Sequence, residues 1–386
     1  MSEERKICIV ITTRGNYAKM KSVIWHIQAS PGLQLQLVAA GGAVLPRYGS
    51  IVDAINHLGV RVDRHIHYIV EGENPVTMAK SSGLAVSDFA TAFEDLGPDV
   101  VIVIADRYEC LPIAMAAAYM NIAVAHVEGG EVSGSIDESI RHAITKMSHL
   151  HFPATEEAAE RIRRMGEPPA SVFAVGGTSL DVINGLDLKD IEPIMEFQRH
   201  AGVGHVVDLN EPYLVVIQHP VTTEYTLNRR HVDETIHAIH GTGMNTIWIW
   251  PNMDAGSDGV SKGIRVYREI HDPPFVHFIK ALPIELFAPL LKNAACIVGN
   301  SSSGIREAAF LGVPTVNIGS RQSGRDRAAN VIDVDYDRGA ITAAIRAQVE
   351  NGCYPPDYRY GDGKAGRRLA EILREADLTI QKQITY

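Results

Sequence analysis

Short apolar runs alternate with helical patterns along the whole chain. The runs are rich in Val and Ile, a composition typical of strands that are covered on both faces. Such strands, joined through helices, indicate parallel βαβ units. The predicted strands span 7–12, 35–39, 100–104, 123–127 and 172–175 in the first half of the chain, and 213–217, 246–250, 275–279, 296–298 and 315–318 in the second half.

The strand pattern restarts after Gly176, where a polar helical stretch at 189–201 precedes the second series. A chain of 386 residues has room for two domains with separate cores. We therefore predict an α/β protein of two Rossmann-like, doubly wound domains that face a cleft, one over 1–180 and one over 181–362. The rest of the chain, 363–386, contains a predicted helix that packs back on the first domain.

The composition is that of a globular protein, with 46% hydrophobic and 21% charged residues and no apolar run of the ~18 residues that would span a bilayer. The N-terminus lacks the features of a secretory signal, so we expect a cytoplasmic protein without membrane contact. Four cysteines without a Cys-x-x-Cys pair predict neither a disulfide nor a structural zinc site. The net charge of −10 argues against nonspecific nucleic-acid binding, so an anionic ligand would need a local basic pocket.

Polar side chains follow the predicted strands at the end where each strand stops. In doubly wound folds, ligands bind outside the carboxyl ends of the strands. A set of polar residues at these ends therefore indicates a ligand site more strongly than any single motif. The residues at these positions are Arg14, Asp106, Arg107, Glu128, His219, Asn252, Asp254 and Ser301 to Ser303.

The segment from His126 to His142 is the most informative motif. Glu128 ends a strand and Asp137 opens the following helix, so two carboxylates enter one loop from opposite sides. Acid/base chemistry needs such a pair, because one group takes a proton while another gives one. A solvated loop with Asp137 as an ordinary helix cap is the alternative, but capping explains neither Glu128 nor the glycines of the loop.

A serine turn, Gly299-Asn300-Ser301-Ser302-Ser303-Gly304, follows an apolar strand of the second half. We predict that it opens a helix over 305–310, and that its hydroxyls and free N–H groups bind phosphate. Glu307, one turn inside this helix, is expected to accept hydrogen bonds from a ribose diol. A plain N-cap is the alternative, for which one serine would suffice.

The turn after the first strand carries Arg14 and Lys19, two cations that would complement a diphosphate. Solvated side chains are the alternative for both residues. A Gly-x-Gly-x-x-Gly run at 361–366 follows no strand, so we do not interpret it as a dinucleotide-binding loop. The paired histidines at 65/67 and 149/151 have no accompanying carboxylate or cysteine set, and we predict that they bind no metal.

Seven motifs occur in an order that spans nearly the whole chain, from about Lys6 to Gly363. They are Asp106-Arg107-Tyr108-Glu109, His126-Val127-Glu128-Gly129-Gly130-Glu131, Ser139-Ile140-Arg141-His142, Gln218-His219-Pro220, Pro251-Asn252-Met253-Asp254-Ala255-Gly256, the serine turn and Arg321-Gln322-Ser323-Gly324-Arg325. This set resembles the hydrolysing UDP-N-acetylglucosamine 2-epimerases of sialic-acid synthesis.

The resemblance implies a glycosyltransferase-B type of fold and the release of N-acetylmannosamine and UDP from UDP-N-acetylglucosamine. It implies that UDP leaves first, by anti elimination across C1 and C2, and that water then adds to the 2-acetamidoglucal with inversion at C2. No metal or nicotinamide cofactor is implied. The expected partner is the UDP-sugar substrate, and we expect a homodimer or homotetramer.

By motif position, the resemblance implies that Asp106, Glu128 and Asp137 are the acid/base carboxylates and that His219 acts beside the diphosphate. Which carboxylate removes the C2 proton stays open. Substrate binding is assigned to Arg14, Lys19, Arg107, Glu131, Arg141, Asn252, Ser301, Ser302, Glu307 and Arg321.

Alternatives to this reaction stay open at the level of sequence. A sibling enzyme acts on UDP-2,4-diacetamido-2,4,6-trideoxyglucose, on the route to legionaminic acid, and the motifs do not separate the two sugars. A glycosyltransferase of the same fold would need an acceptor. Nonhydrolysing relatives usually carry His-Arg-Arg where this chain has His219-Pro220-Val221. Loss of that basic pair favours release of UDP and therefore the hydrolytic outcome.

Overall fold

The chain forms two compact units. The computed structural model describes residues 4–45, 51–57, 59–72, 74–104, 106–134, 136–251 and 256–385. Unit 1 comprises Met1–Glu131, Asp137–Asn184 and Tyr360–Tyr386, and unit 2 comprises Val132–Ile136 and Gly185–Arg359.

Unit 1 contains a six-stranded sheet. Its strands are β1 (Arg5–Ile11), β2 (Leu33–Ala40), β3 (Arg64–Ile66), β4 (Val100–Ile104), β5 (Ala123–Val127) and β6 (Leu150–Phe152). They lie in the order β3-β2-β1-β4-β5-β6, and all of these pairings are parallel. The strand order reverses between β1 and β4, which is where doubly wound sheets bind their ligands.

Helices cover both faces of this sheet. They are α1 (Arg14–Ala29), α2 (Ile51–His57), α3 (Pro75–Leu96), α4 (Cys110–Tyr119), α5 (Asp137–Met147), α6 (Glu156–Arg164) and α7 (Ser179–Asn184). Ile9 of β1 lies in a core with Met20 of α1, while the next residue, Val10, lies in a core with Phe89 of α3. This two-sided burial explains why β1 is apolar at every position from Ile7 to Ile11.

Unit 2 contains a seven-stranded sheet. Its strands are β7 (Val203–Gly204), β8 (Tyr213–Ile217), β9 (Asn245–Ile249), β10 (Val276–Ile279), β11 (Cys296–Gly299), β12 (Thr315–Ile318) and β13 (Val331–Val334). They lie in the order β13-β12-β11-β8-β9-β10-β7, and β7 pairs antiparallel with β10 at the edge. The other pairings are parallel, and the strand order reverses between β8 and β11. The helices are α8 (Glu192–His200), α9 (Asn228–Thr242), α10 (Ser257–His271), α11 (Ile284–Lys292), α12 (Glu307–Leu311) and α13 (Arg338–Asn351).

The predicted fold class, with two doubly wound α/β sheets, is confirmed. The predicted strand at 172–175 is wrong, because only Val172 forms a bridge, to His151, and the neighbouring sheet position is taken by β6. The edge strands β3, β6, β7 and β13 were not predicted, because each has at most four residues and lacks a continuous apolar run. Within the described ranges, every helix is too short or too polar to span a lipid bilayer.

The last helix, α14 (Ala365–Glu375), packs against α1 within unit 1. Leu369 and Leu373 are fully buried in the core that also contains residues of α1. At the start of α14, the Asp181 carboxylate accepts hydrogen bonds from the N–H of Gly366 at 2.7 Å and from the Ser22 hydroxyl at 2.7 Å. A protein carboxylate therefore occupies the helix N-terminus that the Gly-x-Gly-x-x-Gly run provides.

The chain after α14 is held in place by a cluster of charges around the buried Glu167. The Lys382 ammonium donates to Glu167 at 2.7 Å, His151 lies 3.1 Å from the same carboxylate, and Lys146 also contacts it. Burial would raise the pKa of Glu167, but the hydrogen bonds from His151, Lys146 and Lys382 outweigh it and lower the pKa to about 2. The cluster therefore favours an ionised Glu167.

We expect Gly366→Ala to lower the free energy of unfolding by about 1–3 kcal/mol, because a Cβ at this position would lie 2.3 Å from the Ser22 hydroxyl and 2.9 Å from backbone. Gly83→Ala is the matched control, since Gly83 lies in α3 with open space around its Cβ position and gains helix propensity. Thermal unfolding of both variants tests the contact. A Gly366→Ala variant as stable as the control would contradict the close packing of α14 on α1.

Candidate active site

Arg14 lies at the switch point of unit 1, as the first residue of α1. The Thr13 hydroxyl caps this helix by accepting a hydrogen bond from the Asn16 N–H at 3.1 Å. Burial lowers the pKa of Arg14, and its Nε is buried without a hydrogen-bond partner in the part of the chain that the structure describes. A buried guanidinium nitrogen without a protein acceptor is suited to an anionic ligand.

Glu128, directly after β5, has a backbone conformation that residues other than glycine rarely adopt. Its φ is 61°, and its side chain is almost fully buried, with Oε2 2.6 Å from the ammonium of Lys19. The Glu128 N–H donates to the Phe152 carbonyl at 2.9 Å, which ties the turn to β6. Such strained residues persist where the surrounding contacts hold them in place, commonly at functional sites. Lys19, which we assigned to the diphosphate, therefore also contacts a candidate catalytic carboxylate.

His126, a buried residue of β5, stabilises the same turn through a hydrogen bond. Its Nδ1 lies 3.1 Å from the Thr145 hydroxyl, which itself donates to the Arg141 carbonyl at 3.0 Å. The hydroxyl has one proton, so it accepts from His126, and Nδ1 carries the ring proton. A Cβ on Gly129 would lie 2.7 Å from this nitrogen, which explains why glycine follows Glu128. The histidine thereby joins the end of β5 to α5.

The guanidinium of Arg141 is fully buried and connects three parts of unit 1. Its Nε donates to Asp106 Oδ2 at 3.0 Å, its Nη2 contacts the same oxygen, and its Nη1 donates to the Glu131 carbonyl at 2.7 Å and to Glu138 Oε2 at 2.6 Å. Burial would lower the pKa of Arg141, but the charges of Asp106, Glu131 and Glu138 raise it overall. Arg141 and Glu131, which we assigned to substrate binding, here hold protein groups in place.

Two other candidates of unit 1 lie close to this arrangement in the chain. Arg107 follows Asp106 and donates through Nη2 to the buried Glu109 carboxylate at 2.9 Å. Asp137 begins α5, is partly exposed, and directly precedes Glu138. Sequence reasoning did not single out Glu138, because a glutamate in the first turn of a helix is also an ordinary dipole partner.

In unit 2, Asn300 joins the two strands of the switch point. It is fully buried, its Oδ1 accepts from the His219 N–H at 2.7 Å, and its Nδ2 donates to the His219 carbonyl at 2.9 Å. The Asn300 carbonyl accepts from Gln322 Nε2 at 2.8 Å and from Arg321 Nη1 at 3.2 Å. Asn300 thus fixes the backbone of His219 against the serine turn. Sequence reasoning did not assign it a role.

The serine turn begins with Gly299, whose φ is 131° and whose Cβ position lies 2.0 Å from the Ile217 carbonyl oxygen, so no other residue fits. The Ser301 hydroxyl accepts from the Ser303 N–H at 3.3 Å and caps a 3₁₀ turn over Ser302–Gly304. The predicted helix at 305–310 is confirmed only over 307–310, because α12 starts two residues later than predicted, at Glu307, and has five residues. The turn therefore presents its hydroxyls and local N–H groups without a long helix behind them.

Segment Val132–Ile136, which belongs to unit 2, connects Glu131 to Asp137 along the chain. The Gly134 N–H donates to the Arg321 carbonyl at 3.2 Å. The loop that carries Arg321 therefore contacts the segment between two candidate carboxylates. Asn252 lies in 252–255, outside the described residues, so its prediction is not tested. Across the described ranges, no set of three or more His, Cys, Asp or Glu side chains is arranged to hold a metal ion.

We expect Asn300→Ala to lower the free energy of unfolding of unit 2 by about 2–3 kcal/mol, because both backbone groups of His219 lose a buried partner. Asn293→Ala is the control. Its amide also donates to two carbonyls, but Asn293 is exposed, so water replaces the lost bonds. Urea unfolding followed by the fluorescence of the buried Trp248 measures both variants. Equal small losses would contradict the role of Asn300.

Comparison with known proteins supports the same family as the motifs. A model of the family described as UDP-N-acetylglucosamine 2-epimerase matches residues 26–374. A Legionella pneumophila relative, UDP-N,N'-diacetylbacillosamine 2-epimerase (hydrolyzing), is 35% identical over 98% of this chain and 97% of its own length. The UDP-N-acetylglucosamine 2-epimerase of Neisseria meningitidis is 31% identical over 97% of this chain and 96% of its own length.

A solved structure of similar fold is that of the Methanocaldococcus jannaschii UDP-GlcNAc 2-epimerase in complex with UDP-GlcNAc and UDP. It covers 95% of this chain and 99% of its own length, with a TM-score of 0.77 at 19% sequence identity. At that identity the likeness shows the fold, which is of the predicted glycosyltransferase-B type. From the family model and the two relatives, the chain belongs to the UDP-N-acetylglucosamine 2-epimerase family.

Proposed function

We propose that this chain is a hydrolysing 2-epimerase that converts UDP-N-acetylglucosamine to N-acetylmannosamine and UDP. The observation that carries the proposal is a pair of carboxylates at neighbouring strand ends of unit 1, each held by a cation. Asp106, after β4, is held by Arg141, and Glu128, after β5, is held by Lys19. The family membership of the chain, and a relative whose name includes hydrolysis, support the same reaction.

The carboxylates have the chemistry that elimination and hydration require. In the first step a base takes the proton from C2, the bond from C1 to the UDP oxygen breaks, and a C1–C2 double bond forms. In the second step water gives a hydroxyl to C1, and a proton returns to C2 on the opposite face. Asp106, Glu128 and Asp137 are the proposed acid/base groups, because one carboxylate takes a proton while another gives one.

Each unit contains residues that the motifs assign to the UDP end of the substrate. The Arg14 guanidinium and the Arg321 side chain offer cationic donors to the diphosphate, and the Ser301 and Ser302 hydroxyls offer neutral ones. His219, whose backbone Asn300 fixes, acts beside the leaving phosphate. The buried carboxylate of Glu307 accepts from the ribose hydroxyls.

A diacetamido sugar nucleotide is the second candidate substrate. The observation that favours it is the relative from Legionella pneumophila, whose name gives UDP-N,N'-diacetylbacillosamine and which is 35% identical to this chain. The two sugars share the UDP group and the 2-acetamido carbon at which the reaction takes place. They differ at C4 and C6, so the proposed acid/base groups serve both.

Incubation with each of the two sugar nucleotides tests the proposal. We expect UDP release without added metal and without an acceptor, and faster release from UDP-N-acetylglucosamine. In D₂O the 2-epimerised sugar should carry deuterium at C2, because the elimination removes that hydrogen and solvent supplies its replacement. NMR of the product measures this. Full retention of the C2 hydrogen would rule out the elimination, and UDP release only with an acceptor would indicate a glycosyltransferase.

Glu128→Gln and Asp137→Asn should each lower kcat by about a hundredfold or more while UDP binds almost as before, because the amide keeps the shape and loses the proton transfer. Asp258→Asn is the matched control, since Asp258 is an exposed acid in the first turn of α10. Steady-state kinetics and calorimetric titration with UDP separate the two effects. An equal loss of UDP affinity in both variants would instead assign these carboxylates to binding.

A further inference from the structure

We propose that Glu138 is a positioning residue for Asp106 and acts on it through Arg141. The inference rests on the proposed function only in taking Asp106 as an acid/base group. Glu138 does not contact Asp106 in the hydrogen bonds described above. The two carboxylates share one guanidinium, which is fully buried.

The geometry leaves the guanidinium little freedom. At least four of the five N–H donors of Arg141 are used: Nε and one Nη2 proton reach Asp106, and the two Nη1 protons reach the Glu131 carbonyl at 2.7 Å and Glu138 at 2.6 Å. These acceptors come from the loop after β4, the loop after β5 and the first turn of α5. Three anchors from three elements define the plane of the guanidinium, and this plane sets where Asp106 Oδ2 lies.

The charge of Glu138 has a second effect. Asp106 and Glu138 share one buried cation, Arg141, and their negative charges repel each other. The ionised form of Asp106 is therefore less stable than it would be if Asp106 were the only carboxylate beside Arg141. When the charge of Glu138 is removed, Arg141 interacts with the negative charge of Asp106 without competition from Glu138, and the ionised form of Asp106 is favoured. The negative charge of Glu138 keeps Asp106 easier to protonate than a simple ion pair with a buried arginine would be.

His142 completes the arrangement on the other side of Glu138. Its Nε2 lies 2.9 Å from Glu138 Oε1, so the two oxygens of Glu138 face Arg141 and His142 at (i, i+3) and (i, i+4) on α5. Glu138 is therefore held at both oxygens and presents a defined geometry to Arg141. Among the described residues, the titratable and charged groups around the Asp106–Arg141 pair include Arg107, Glu109, Cys110, Glu131, Glu138 and His142.

The test is Glu138→Gln, which keeps an acceptor for Arg141 but removes the charge. We expect kcat to fall several-fold, KM to change less than twofold, and the limb of the pH–kcat profile that depends on Asp106 to move to lower pH. The direction is the same whether Asp106 acts as the base or as the acid. Glu138→Ala also removes the anchor, and should lower kcat by a further factor of about ten.

Glu157→Gln is the matched control, because Glu157 is likewise a first-turn glutamate of a unit 1 helix, α6, and is exposed. It should leave kcat and the pH profile unchanged. A second readout does not depend on activity. The ¹³C titration of the Asp106 carboxyl, assigned by its absence in Asp106→Asn, should move to lower pH in Glu138→Gln and stay in place in Glu157→Gln.

An unchanged Asp106 titration in Glu138→Gln would overturn the inference, as would a loss of kcat that only follows a loss of folded protein. If the wild-type protein releases no UDP from either sugar nucleotide, the proposed function fails. The carboxyl titration then still decides whether Glu138 acts on Asp106.

Discussion

The main constraint on the structure of unit 1 is that the buried guanidinium of Arg141 needs hydrogen-bond acceptors and negative charges around it. Arg141 has no access to water, so its hydrogen-bond donors must find acceptors within the protein, and its charge requires carboxylates. The carboxylates of Asp106 and Glu138 and the backbone carbonyl of Glu131 provide these acceptors from two loops and a helix. Leaving such a charge unpaired costs about 3–5 kcal/mol, so the three segments are held together more strongly than loop contacts usually allow. The loops at the carboxyl ends of the neighbouring strands β4 and β5 thereby acquire a fixed arrangement.

The strain at Glu128 can be understood within this frame. A non-glycine residue at positive φ costs on the order of 1–3 kcal/mol, which an ordinary solvated loop would release by relaxing. Here the Glu128 N–H is tied to Phe152, its carboxylate is tied to Lys19, and His126 fills the space beside Gly129. The strain is held by contacts on three sides. A buried carboxylate on a strained backbone lowers the stability of the fold. This cost supports a functional reason for the position of the Glu128 side chain.

The sequence was most informative where burial on both faces imposes an apolar pattern. Strands such as β4 and β5 were predicted to the residue, and the polar residues after them mark the switch points. Edge strands escaped prediction because they are short, as in the three residues of β6, or meet water on one side, as in β13 with its partly exposed residues. Glu138 and Asn300 were also not assigned, since a first-turn acid and a strand-end amide have common structural uses. Their roles depend on partners that are distant in the sequence. Glu138 is linked to Asp106 through Arg141, and Asn300, which follows β11, bonds to His219, which follows β8.

The two units fix their strand ends with different chemistry. In unit 1 the ties are ionic, through Arg141 and Lys19, whereas in unit 2 the tie is the neutral amide of Asn300, which donates and accepts at once. A carboxylate at position 300 would accept from the His219 N–H but repel its carbonyl, and would place a negative charge beside the serine turn. An amide satisfies both backbone groups without that charge. A neutral support suits the turn that we propose to bind an anion, whereas ionic supports suit the carboxylates that we propose to exchange protons. The kind of support in each unit therefore agrees with the role proposed for it.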